Sequence, residues 1–133
     1  MTTGPDERRP SPVAMDGEAF KTLGHSLVDR IAALLDSIAE RPVTQGEAPD
    51  RIREILGGSG LPDHGAPASE LMDRAADLLM EHSLFNGHPR FMGYITSSAA
   101  PLGMLADLLA AAVNANVGAQ VLSLMATEIE RQT

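Results

Sequence analysis

The sequence predicts a mainly α-helical chain, and three observations carry that prediction. Apolar residues recur at spacings of three and four along two long stretches, residues 15–40 and 69–83. A third stretch, 102–113, is almost wholly apolar and follows Pro101, a residue favoured in the first turn of a helix. The large side chains are mostly Leu, Ile, Val and Met, since the 133 residues include three Phe, one Tyr and no Trp; that supply suits packed helices.

Residues 1–14 are rich in Pro, charge and small polar groups and read as a disordered arm. Asp16 is placed to cap the first helix, which carries a stripe of Phe20, Leu23, Leu27, Ile31, Leu34 and Ile38, widened by Val28 and Leu35. Gly24 costs about 1 kcal/mol relative to Ala inside a helix, which a close approach of another helix would explain. Arg41-Pro42 stops the helix, because the residue before proline is pushed out of the helical region. After a connector, residues 50–56 form a short helix with Asp50 at its cap. Gly57-Gly58-Ser59-Gly60 follows. No strand precedes this run and no Lys-Ser/Thr follows it, so it reads as a loop rather than a phosphate cradle.

The next helix, 69–83, places Leu71, Met72, Ala75, Leu78, Leu79 and His82 on or near one face. Gly87 breaks the chain into a turn. Residues 91–96 hold β-favouring Phe91, Tyr94, Ile95 and Thr96 and read as a short extended segment. The apolar helix from Pro101 presents Leu102, Leu105, Leu108, Leu109, Ala112 and Val113 and ends across residues 114–118. Another helix opens at Thr127, with Glu128 and Glu130 near its positive end.

Formal net charge is -8, which opposes nucleic-acid binding through phosphate neutralisation. No Cys is present, so disulfides and thiolate metal sites are excluded. The first residues lack the apolar core of a signal peptide, and no apolar run approaches the roughly 20 residues of a membrane span. The expected setting is the cytoplasm. His25, His64, His82 and His88 fall at no helical ligand spacing, so no metal site is expected. Asp107 reads as an exposed carboxylate, and Ser97-Ser98 as capping or loop residues rather than nucleophiles. The densest mix of functional side chains is His88-Pro89-Arg90-Phe91-Met92-Gly93-Tyr94. It reads equally as a binding loop, with Arg90 for an anion and His88 and Tyr94 as hydrogen-bonding groups, or as a structured loop whose aromatics fill a core.

The stretch from Phe20 to Ile38 with Gly24-His25 and Val28-Asp29, then Arg41-Pro42-Val43, His88-Pro89-Arg90-Phe91, Gly93-Tyr94-Ile95, Pro101, Leu105-Ala106-Asp107 and Thr127-Glu128-Ile129-Glu130 form an ordered set. Together they resemble the N-terminal region of the group II pyridoxal-phosphate-dependent amino-acid decarboxylases. The chain departs from that family at Gln120, near which members carry Trp, and at Ser123-Leu124, where they carry Ser-Pro.

The resemblance implies that residues 15–133 are a helical dimerisation and substrate-loop region, cut off before an α/β cofactor domain of the fold type I, aminotransferase-like kind. It places Tyr94, Ile95, Thr96 and Ser97 beside the substrate, with His88, Pro89 and Phe91 shaping the loop. It implies pyridoxal 5'-phosphate as cofactor, an amino acid as substrate, carboxy-lyase chemistry in which the cofactor serves as electron sink, and a homodimer or docking to a decarboxylase subunit. No catalytic or cofactor-binding residue is expected within this chain, because the family's Schiff-base lysine lies in the later domain and Lys21, the sole lysine, matches no cofactor motif. On that reading the chain is inactive alone. The alternative is a helical dimerisation or interaction module without activity.

Overall fold

The computed structural model describes residues 13–58 and 60–133. Most of the expected arm, residues 1–12, and Ser59 of the glycine run lie outside the described residues. The mainly α class holds. Five α-helices and one 3₁₀ turn make up the regular structure of the described residues, and the chain divides into two units, Met1–Phe91 and Met92–Thr133.

In the first unit, α1 spans Gly17–Ser37. Asp16 caps it as expected: its carboxylate accepts from the Ala19 amide at 2.8 Å, satisfying one of the free amides of the first turn. The helix stops before Arg41-Pro42. Ser37 Oγ donates back to the Ala33 carbonyl at 2.7 Å, and the Glu40 amide closes a tighter turn onto the Ser37 carbonyl at 3.0 Å. Leu23, Leu27, Ile31, Leu34, Leu35 and Ile38 are half-buried, while Phe20 and Val28 are exposed. The space around Gly24 is open within this chain, so the close approach expected there is not made by these residues.

Helix α2 spans Pro49–Leu56 with Pro49 in its first turn. Asp50 does not cap it; it lies inside the first turn and pairs with Arg53. Proline needs no amide partner there, so the start is set by Pro49. Helix α3 spans Ala68–His82 and packs on α1. Its inward face is Met72, Ala76 and Met80, four apart, with Ala76 buried. Leu71, Ala75 and Leu79, expected on the buried face, are exposed instead. Small Ala76 lets the helices close, and beside that contact Arg30 of α1 pairs with Asp77 and lies 3.8 Å from Asp73. The hydrogen bond to Asp77, ahead of the other influences on the group, raises the pKa of the Arg30 guanidinium above its ordinary value.

In the second unit, α4 spans Pro101–Val113 and stops at Asn114, whose left-handed backbone (φ 47°) returns its amide to the Ala110 carbonyl at 2.8 Å. The residue before Pro101 is Ala100, and no side chain caps α4, so Ser97 and Ser98 do not have that role. The 3₁₀ turn Gln120–Leu122 leads into α5, Leu124–Gln132. This last helix starts earlier than Thr127, which moves Glu128 and Glu130 beyond its first turn. Glu128 instead accepts from Gln132 Nε2 at 2.8 Å. No helix of the described residues is long and apolar enough to cross a membrane.

Candidate functional site

The candidate loop begins where the first unit closes. Residues 85–91 make two consecutive turns. The His88 amide donates to the Phe85 carbonyl at 3.1 Å, and the Phe91 amide donates to the His88 carbonyl at 2.9 Å. Pro89 sits at the second position of the latter turn, where its fixed φ is pre-set for the bend.

His88 is 3% exposed and both ring nitrogens are engaged. The Arg90 amide donates to Nδ1 at 3.0 Å, and Nε2 lies 2.9 Å from the Arg41 carbonyl. An amide can only donate, so Nδ1 is the acceptor, and Nε2 carries the proton and donates to Arg41. Nδ1, bonded to Cγ as the side-chain oxygen of Asp or Asn is, does here what that oxygen does in an Asx turn.

Arg41 is the other half of this arrangement. Its Nε donates to Ser37 Oγ at 3.1 Å and its NH1 to the Met80 carbonyl at 3.1 Å. Met80 lies in the last turn of α3, whose carbonyls have no helical partners, so Arg41 caps α3 from the exit of α1. Two further ties run beside it. The Phe85 amide donates to the Val43 carbonyl at 2.9 Å, and His82 Nδ1 pairs with Glu47 at 2.7 Å. Sequence reasoning missed Arg41, Glu47 and His82 in these roles. Arg41 showed only as a helix stop, and partners 35 to 47 residues apart leave no local pattern.

Residues 92–97 belong to the second unit and are different in kind. They are non-helical, as expected, but form no strand; the chain bends at Tyr94 and Ile95. Tyr94 adopts φ 60°, a left-handed conformation that costs a bulky residue on the order of 1 kcal/mol or more. Met92, Tyr94 and Ile95 are 93%, 90% and 106% exposed, and Thr96 and Ser97 are exposed too. Thus His88, Pro89 and Phe91 sit in a hydrogen-bonded turn of the first unit, while Tyr94, Ile95, Thr96 and Ser97 form an open apolar and hydroxyl lip in the second. Neither a filled aromatic core nor a closed active site describes the lip.

A second feature of the first unit is an apolar groove of about 240 Å³ between α2 and α3, lined by Ile52, Ile55, Leu56, Leu78 and Leu79 and ending at His82 and Ser83. Lys21, the sole lysine, is exposed on α1. An exposed amine on an amphipathic helix does not fit the enclosed, charge-matched seat that an aldehyde cofactor needs.

No family model matches the chain. It is similar to a tyrosine decarboxylase of Oryza sativa subsp. japonica, at 28% identity over 97% of this chain and 24% of the relative. It is similar to an aromatic-L-amino-acid decarboxylase of Bacillus atrophaeus, at 26% identity over 90% of this chain and 25% of the relative. A phenylacetaldehyde synthase of Arabidopsis thaliana matches at 28% identity over 87% of this chain and 24% of the relative. The relatives it matches include tyrosine and aromatic-L-amino-acid decarboxylases and a phenylacetaldehyde synthase. Among solved structures, the glutamate decarboxylase domain of a diaminobutyrate–pyruvate transaminase and L-2,4-diaminobutyrate decarboxylase from Vibrio parahaemolyticus superposes with a TM-score of 0.74 at 15% identity. It covers 90% of this chain and 26% of that one. This last likeness is one of fold. The chain spans about a quarter of the length of the decarboxylase relatives it matches.

Proposed function

We propose that this chain is the N-terminal helical part of a pyridoxal-phosphate-dependent amino-acid decarboxylase. It contributes contacts to a second subunit and a wall of the substrate pocket, acts in the cytoplasm, and is inactive alone. The observation that carries the reading is the exposure of helix α4. Leu102, Leu105, Leu108, Leu109 and Val113 are all more than half exposed, although burying each would be worth roughly 1.5–3 kcal/mol. A helix this apolar is made to be covered. The open lip of Tyr94, Ile95, Thr96 and Ser97 supports the same conclusion. Its hydroxyls and apolar side chains suit the side chain of an amino-acid substrate, and His88, Pro89 and Phe91 hold the turn that precedes it in the sequence.

The cofactor chemistry belongs to residues outside this set. The test is to add pyridoxal 5'-phosphate to the chain and record the visible spectrum. No lysine-dependent absorption band and no release of carbon dioxide from aromatic amino acids are expected. A band lost on replacing Lys21 by Arg would overturn the claim that the chain cannot hold the cofactor.

The exposed faces also favour a second reading, a dimerisation or interaction module without catalytic activity. Light scattering separates the two. A well-folded dimer whose mass does not change with concentration supports the module, and concentration-dependent association supports a part made for a larger enzyme.

A further inference from the structure

The hydrogen bonds at His88 do something more specific than fill space. The ring joins two segments through opposite functions: Nε2–H donates to the Arg41 carbonyl, and Nδ1 accepts from the Arg90 amide. Only one neutral tautomer satisfies both. A second proton would make Nδ1 a donor facing another donor. The Nε2 bond to Arg41 survives that change and gains from the charge, so only the Arg90 side is lost.

We infer that His88 is a positioning residue whose Nε2–H tautomer latches the turn from which the candidate lip departs, and that protonation of the ring releases the Arg90 end of this latch while keeping the Arg41 end. The inference rests on residues 92–97 being the substrate lip of the proposed enzyme. Charged groups on the segments that meet here have other partners. The guanidinium of Arg41 goes to Ser37 and Met80, and Glu47 of the connector pairs with His82 of α3. Arg90 meets the ring through its amide. No carboxylate hydrogen-bonds the ring among the described residues, so a proton arriving at Nδ1 finds no new partner there.

The experiment uses the whole 133-residue chain, labelled with ¹⁵N, from about pH 8 to about pH 5, the span in which imidazoles usually change charge. Imidazole nitrogen shifts report the tautomer and its titration, and amide exchange is read as protection relative to the unstructured rate. The expected result is a single Nε2–H tautomer at the alkaline end and an Arg90 protection factor that falls about tenfold, the scale of one lost hydrogen bond. Its midpoint coincides with the His88 titration, while the Phe85 amide keeps its protection. A mixed or Nδ1–H tautomer overturns the inference, as does an Arg90 response with a different midpoint. His88→Asn, which keeps an acceptor near the Nδ1 position and does not titrate, should make Arg90 protection independent of pH; an unchanged pH response in that variant also overturns it. Should that variant not fold, the wild-type midpoints decide alone. Because no substrate or cofactor is used, failure here leaves the pocket-wall reading standing. Failure of that reading, seen in the cofactor and association tests, leaves the latch measurable.

Discussion

Replacing His88 with Ala removes the acceptor of the Arg90 amide and the donor to the Arg41 carbonyl at a position that is 3% exposed. Stranding two main-chain groups there should cost about 1–3 kcal/mol, read from urea denaturation of the chain, and an unchanged midpoint would mean the turn is held by other contacts. Further along the sequence, Asn114 has the left-handed backbone that stops α4. Asn tolerates that conformation and Ala does so poorly. Asn114→Ala should therefore lower α4 stability by about 1 kcal/mol and Asn114→Gly should not, as followed by circular dichroism and amide exchange at Val113 and Asn114. These two residues differ in how readable they were. An Asn after an apolar run is a local stop signal, so the end of α4 could be placed from the sequence. The His88 tie to Arg41 spans 47 residues, and only the fold brings its two ends together.

At the scale of the element, α1 was legible because its stripe has the helical period and Asp16 precedes it. α3 was legible as a helix but not in its rotation. Its apolar residues cover more than one face, and the buried contact falls on Ala76, with Asp73 and Asp77 beside it near Arg30. Which face meets another helix depends on that partner, and periodicity does not see it. Residues 91–96 were expected to be extended from their β-favouring composition. The bend at Tyr94 shows that composition yielding to local backbone geometry that no neighbour in the sequence specifies. Gly24 supplies an element-scale prediction. Open space surrounds it in this chain, so Gly24→Ala should stabilise α1 by about 0.5–1 kcal/mol in denaturant titrations. If a second subunit packs closely there, the same change will weaken association. Destabilisation of the isolated chain would mean that the glycine meets something within it.

For the molecule as a whole, the balance of covered and uncovered apolar surface matters more than any one side chain. The first unit closes on α1 and α3 through half-buried Leu, Ile and Met residues and the ties around Arg41. In the second, Leu102, Leu105, Leu108, Leu109 and Val113 of α4 are exposed, and so are Val121, Leu122, Leu124, Met125 and Ile129 of the 3₁₀ turn and α5. Such surfaces are expected to meet another chain. The relatives, which are decarboxylases about four times as long, show the kind of protein in which a region of this sort occurs. The most direct test is the mass of the chain by light scattering across a wide concentration range, alone and with Leu105→Glu and Leu109→Glu combined on one face of α4. The account predicts that the mass of the wild type rises with concentration and that the variant, with unchanged helical content, stays at the mass of one chain. A wild type that remains a folded monomer at every concentration would contradict it.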